Sequence, residues 1–249
     1  MTTSSTPQAS QNQHQPTSTS SISSSQTPYW NLNIPTDLHT PSCPPYLLNL
    51  SEKDINHLHL PDSSYTRLTF SQIRTLISSN RLQDFTRLPS DLRKYRKFVY
   101  DLTQRYGSVE RYMLEERLGW DAEELGGNAD GERKKPFEER SDYRILMNDW
   151  PYGVEKGIEH VVVWTKFSLG GEEEGEDSGR DAIEEFMEQV FYSHLPRENV
   201  VWFRNWGALK SVHAVEHFHI MLLNPDSSFL NSIVETPTPL RPNSEASRS

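Results

Sequence analysis

Cysteine is almost missing from this chain. Cys43 stands alone in 249 residues, which excludes a disulfide scaffold and fits a reducing compartment. Charge is missing from residues 1–27, which hold no Lys, Arg, Asp or Glu and consist mostly of Ser, Thr, Gln and Pro. Such a stretch cannot bury enough apolar surface to offset its ordering entropy, so it reads as disordered. No apolar run approaches the ~20 residues that a bilayer-crossing helix needs. The N-terminus lacks the basic and apolar regions of a secretory signal and the arginine of a transit peptide. The expected compartment is the cytosol, with the nucleus open, and no membrane partner is expected. Positive charge is not in surplus either. The formal net charge is −10, whereas neutralising phosphates needs Lys and Arg gathered on one face. The nearest approach, Arg93, Lys94, Arg96 and Lys97, reads as a solvated helix face, so no nucleic-acid partner is expected. The chain also has no Walker loop, no Rossmann glycine pattern after a strand, no nucleophile elbow and no HExxH.

What is present divides the chain. Residues 28–125 read as mainly helical, 126–141 as an exposed Gly-rich and charged link, 142–223 as an α+β part, and 224–249 as a second disordered tail. In the helical part Ser51 and Asp54 are spaced like an N-cap and an N3 acid. Helical periodicity begins at Thr69 with Ile73, Leu76 and Ile77. Ser90 is the expected cap of a longer helix whose apolar face is Leu92, Tyr95, Val99, Leu102 and Tyr106, closed by Gly107. Ser108 then caps a helix ending at Gly119. After residue 141 the pattern turns to strands at 143–147, 159–167, 199–204 and 214–223, with an amphipathic helix at 181–192 and a mobile acidic loop at 170–179. The expectation is α+β: an antiparallel sheet with one packed helix, preceded by two or three N-terminal helices that also pack on the sheet.

Candidate chemistry concentrates in the run Asn205 to Met221. If 214–223 is a strand, alternation puts His217 and His219 on one face, with Val215 and Met221, and His213 shares that parity if the strand starts early. Imidazoles so grouped can serve as nucleophile, acid, base or metal ligand. A second His-x-His, His57 and His59, falls in a short helix, where the two rings do not share a face, and reads as structural. A zinc site built from His213, His217 and His219 is a further alternative. Glu216, however, has the opposite parity and points away from it, so no metal and no other cofactor is expected.

Two resemblances follow from these motifs. The block Asn148-Asp149-Trp150-Pro151-Tyr152-Gly153, through His160 to Lys166, to Val215-Glu216-His217-Phe218-His219 resembles the fungal N-acetylglucosamine-induced protein family over residues 90–223. That resemblance implies a cytoplasmic protein linked to amino-sugar metabolism, and brings no catalytic residues with it. The same half is more faintly similar to the histidine-triad superfamily of nucleotide hydrolases and transferases. There His160 to Lys166 stands for its Gly-His-apolar-Lys strand, and Asn205, Gly207, His217 and His219 for its Asn-x-Gly turn and alternating histidines. Val215 and Met221 occupy the positions where a third histidine would stand, so either His219 or His217 is the nucleophile this resemblance implies. In that chemistry a neutral imidazole attacks a phosphorus and forms a covalent intermediate. His213, Lys210, Arg204 and Lys166 are then candidate donors to phosphate oxygens, with the Ser211 hydroxyl. Asn205 belongs to the turn, and Asn148 or Asp149 accepts from a ribose hydroxyl. Trp150, Trp164 or Trp206 flanks a ring. The expected partner is a small molecule, a nucleotide or nucleotide sugar, acted on by a hydrolase or transferase or merely bound by a non-catalytic protein of the same fold.

Overall fold

The three valines of the sequence HVVVW sit in the middle of strand β2 (Ile158–Thr165), where branched side chains fill a pleated surface. In the computed structural model, which describes residues 27–126, 135–170, 179–210 and 212–235, β2 pairs with β1 (Tyr143–Met147) and β4 (Glu216–Leu223), and β4 also pairs with β3 (Val200–Phe203). The sheet order is β1-β2-β4-β3 and every pairing is antiparallel. The expected disorder of residues 1–26 and 236–249, the loop at 171–178, the link at 127–134 and the role of Ser211 lie outside the described residues.

Register sorts the side chains. Val162 lies opposite His219, Trp164 opposite His217, and Phe203 opposite His219. One face of the sheet therefore carries His160, Val162, Trp164, Phe203, His217, His219 and Met221, and the other carries Val161, Val163, Phe218, Ile220 and Leu222. Both faces are covered, which is why six consecutive residues of β4 are buried. On the second face lie α5 (Arg180–Met187), which runs on as a wider turn through Tyr192, and α6 (Ser227–Ile233). Ile183, Phe186, Met187, Phe191 and Phe229 form a core there with the strands.

The histidine face is closed by the N-terminal helices. From α2 (Phe70–Ser78), Phe70, Ile73 and Leu76 pack with Phe203 and Met221. Leu102 of α3 (Pro89–Tyr106), Tyr112 of α4 (Val109–Tyr112) and Met113 just after it pack with Leu146, Val162 and Trp164. With α5 and α6 on the other face, the sheet is sandwiched between helical layers. The reason is that both faces of the sheet carry large apolar side chains, Val162, Trp164, Phe203 and Met221 on one and Val161, Val163, Phe218, Ile220 and Leu222 on the other, and each needs its own cover. Helix α1, with Glu52–Leu58, joins α3 through Leu58 and Leu92 rather than the sheet. Among the described residues no helix is long and apolar enough to cross a membrane.

Caps follow local chemistry. Ser51 Oγ accepts from Asp54 N, Thr69 and Gln72 bond reciprocally, and Ser108 Oγ accepts from Arg111 N. Ser90 does not cap α3. Pro89 takes the first helical position, where its missing N–H costs nothing, and the Asp62 carboxylate accepts from Ser90 N at 3.0 Å. Strand β4 begins at Glu216 and not at Ala214, which leaves His213 in the preceding bend. Structure also continues past Leu223: Asp226 caps α6, Phe229 is buried, and Glu235 N donates to Ile145 O at 2.9 Å on the outer edge of β1. The link is not wholly exposed, because Phe137 stacks on Phe186 with centroids 4.4 Å apart.

Candidate functional site

The turn after β1 is tied down at both ends. Asn148 Oδ1 accepts from Trp150 N at 2.9 Å, the side-chain turn that Asn favours. Asn148 N donates to His160 O, and Gly153 N donates to Thr86 O at 2.9 Å. A side chain at position 153 would run into the Tyr65 ring, so glycine lets this turn lie against the helical layer. Between the turn, the histidine face of the sheet, α3 and α4 lies a cavity of about 100 Å³. Its polar lining is Asn148, Asp149, Arg87, Arg117, Asn205, His217 and His219, and its walls include Trp150, Trp164, Tyr95 and Phe98.

The histidines differ in how they are held. His160 and His219 are 2 % and 8 % exposed. His160 Nε2 lies 3.1 Å from His219 Nδ1, and Asn205 Nδ2 lies 3.2 Å from His219 Nε2. A neutral imidazole has one N–H and one lone pair, and in His219 both nitrogens are engaged inside the protein. Burial, reinforced by the charge of Arg87, lowers the His160 pKa to about 3. Burial first, then His160, His217 and Arg87, hold His219 well below the ordinary histidine value. Both rings are neutral at pH 7. His217 is different: its Nδ1 lies 2.8 Å from Val215 O, so Nδ1 carries a proton and donates to that carbonyl. Its ring stacks on Trp164 at 4.5 Å.

The cavity thus brings together His217, His219, Asn205, Asn148, Asp149, Trp150 and Trp164. The other candidates lie elsewhere. Lys210 is buried and paired with Glu216. Lys166 pairs with Glu124 and lies over the Trp120 ring. Arg204 donates to Leu169 O at 2.8 Å. Trp206 packs in the cluster around Phe203, and His213 is exposed. With His213 outside the strand, the three-histidine zinc set is not assembled. Among the described residues no group of three His, Cys, Asp or Glu is placed to hold a metal ion. The basic run in α3 is engaged in packing and pairing: Arg93 donates to Tyr29 O, while Lys94, Arg96 and Lys97 pair with Asp91, Asp54 and Asp101.

Two cavity cations escaped the sequence reading. Arg117 Nη2 bonds Asp149 Oδ1 at 2.7 Å; burial pushes the Asp149 carboxyl up and Arg117 opposes that. Arg87 Nε donates to Trp150 O at 2.9 Å across 63 residues of sequence. No local periodicity signals a pairing at that separation.

Residues 69–223 match the family described as "Protein of unknown function (DUF3605)", and every residue lining the cavity falls inside that span. N-acetylglucosamine-induced protein 1 of Candida albicans is 27% identical over 183 residues, covering 67% of this chain and 72% of that protein. An uncharacterised protein of Saccharomyces cerevisiae is 26% identical over 174 residues, covering 67% of this chain and 84% of that protein. The crystal structure of HTC1 is similar in fold with a TM-score of 0.51 at 23% identity, covering 67% of this chain and 95% of that one.

Proposed function

We propose, from the premise that this chain belongs to the DUF3605 family of proteins of unknown function, that it binds a small polar molecule and encloses one moiety of it between sheet and helices. The observation that carries this reading is a group of unpaired polar atoms. Of the six buried side-chain N and O atoms without a hydrogen-bond partner among the described residues, three belong to residues that line this cavity: Trp150 Nε1, Asn205 Oδ1 and Arg117 Nε. Buried polar atoms are normally bonded, and each orphan costs about 1–3 kcal/mol. A ligand offering donors and acceptors recovers that cost.

Size limits what enters. Ligand pockets usually measure about 300–1,000 Å³, and a dry cavity of about 150 Å³ admits one benzene. A cavity of about 100 Å³ takes a single small group, so a whole nucleotide sugar extends outside it. The Candida relative's name refers to induction by N-acetylglucosamine, which makes amino sugars and their phosphorylated and nucleotide derivatives the first ligands to test. At least one of N-acetylglucosamine, its 6-phosphate and UDP-N-acetylglucosamine is expected to raise the melting temperature of the wild-type protein. Trp150→Ala is expected to remove that shift without unfolding the chain. No shift with any of the three at millimolar concentration sinks the reading.

One observation favours a second reading, histidine-dependent phosphoryl or nucleotidyl transfer. The Nδ1–H of His217 is given to a backbone carbonyl, which fixes the orientation of a ring that lines the cavity. Labelled nucleotides are then expected to leave an acid-labile label that His217→Ala abolishes and His219→Gln retains. An unlabelled wild-type protein rejects it.

A further inference from the structure

Of the two arginines that line the cavity, one has no ion-pair partner among the described residues. Arg117 is neutralised by Asp149. His160 and His219 are neutral. Arg87 forms no ion pair among the described residues: its Nε bonds the Trp150 carbonyl, and its guanidinium lies over the Tyr95 ring at 4.3 Å and near the Tyr152 ring at 5.2 Å. These contacts satisfy one of its nitrogens and hold the guanidinium in place. Among the described residues the terminal Nη1 and Nη2 make no hydrogen bond, and Arg87 is one of the residues that line the cavity.

A guanidinium in this state suits an anion. Its two terminal nitrogens form a planar fork matched to two oxygens of a phosphate or carboxylate. Stacking between tyrosines has already immobilised the fork, so little rotamer entropy remains to be lost on binding. Surrounding apolar walls strengthen the attraction by excluding water. Asn205, which also lines the cavity, adds an amide whose Oδ1 has no partner among the described residues. The limited volume favours a compact charged group over a bulky one.

We infer that Arg87 is the anion-binding residue of this cavity and that the enclosed moiety is a phosphate monoester carried by a small molecule. This rests on the ligand-binding reading above and adds the charge of the ligand to it. Arg117, already paired, acts as a second positive centre that the anion approaches without displacing Asp149.

The test is isothermal titration of the full chain with three probes: N-acetylglucosamine, N-acetylglucosamine 6-phosphate and inorganic phosphate. The 6-phosphate is expected to bind about tenfold or more tighter than the neutral sugar, with inorganic phosphate competing against it. Arg87→Met, which keeps the apolar stem and drops the charge, is expected to make the neutral and phosphorylated sugars bind alike. Arg87→Lys, a point charge without the fork, is expected to fall between. Equal binding of the neutral and phosphorylated sugars by wild-type protein overturns the inference while the ligand-binding reading stands. Absence of binding by all three overturns the inference, and the ligand-binding reading falls with it when UDP-N-acetylglucosamine also gives no melting shift. If Arg87→Met does not fold, the wild-type comparison and the Arg87→Lys titration still decide.

Discussion

Phe218→Ala is expected to lower folding stability by about 3–5 kcal/mol, the usual cost of emptying a fully buried aromatic site. Phe218 has 0% exposure. Its ring meets Phe186 at 6.0 Å and 88°, Trp202 at 6.1 Å and 76°, and Phe137 at 6.1 Å and 86°. Three edge-to-face neighbours on three different segments cannot all move inward to fill the space, so most of the void remains. Folding stabilities are commonly about 5–15 kcal/mol in total, and the variant should sit near the unfolding limit. Urea unfolding measures this directly. A loss below about 1.5 kcal/mol would mean that the helix α5 layer collapses onto the sheet far more easily than this packing implies. Tyr100→Ala, at a position 37% exposed, serves as the control and is expected to stay within about 0.5 kcal/mol.

Acid is expected to destabilise the protein well above the range where carboxylates titrate. The reason is the buried pair His160 and His219. In the unfolded chain a histidine takes up its proton near pH 6.5. In the folded chain His160 does so only near pH 3 and His219 also far below the ordinary value. Between those limits the unfolded state binds more protons, so stability rises with pH there and falls as the pH is lowered. The contribution is complete above about pH 6.5 and is lost progressively below it. From pH 7.5 to pH 5 the loss from His160 is about 1.5 units at 1.36 kcal/mol each, about 2 kcal/mol. His219 adds to this in the same direction, and because the rings share a hydrogen bond they titrate as a pair. Arg87 deepens the effect, since its charge opposes protonation of either ring. Urea midpoints at pH 7.5, 6.5, 5.5 and 5.0 should fall steadily below pH 6.5, and His160→Gln should flatten that decline. A midpoint that stays level down to pH 5 would contradict the sealed, neutral state of the pair. An anion beside Arg87 makes histidine protonation less unfavourable, so bound ligand should also reduce the slope.

The likeness to the N-acetylglucosamine-induced protein of Candida albicans was legible in the sequence, because the motifs that carry it are contiguous blocks such as NDWPYG and HVVVW. Domain extent was harder to read. Polar composition after Leu223 argued against structure, yet Asp226 caps α6, which inserts Phe229 into the core. One aromatic residue with a good cap outweighed the average composition around it.

Local chemistry by itself determined the strands, most helix caps and the shared face of His217 and His219, since caps reach three residues and strand alternation has a period of two. Only tertiary structure decided which polar groups meet. His160 reaches His219 across 59 positions and Arg87 reaches Trp150 across 63, distances over which no periodicity carries information. The same long-range packing withdrew Lys210, Lys166 and Arg204 from the cavity and supplied Arg87 and Arg117 instead. A side chain's type states what it can bond, whereas its partner is set by which segments the buried apolar surface forces together.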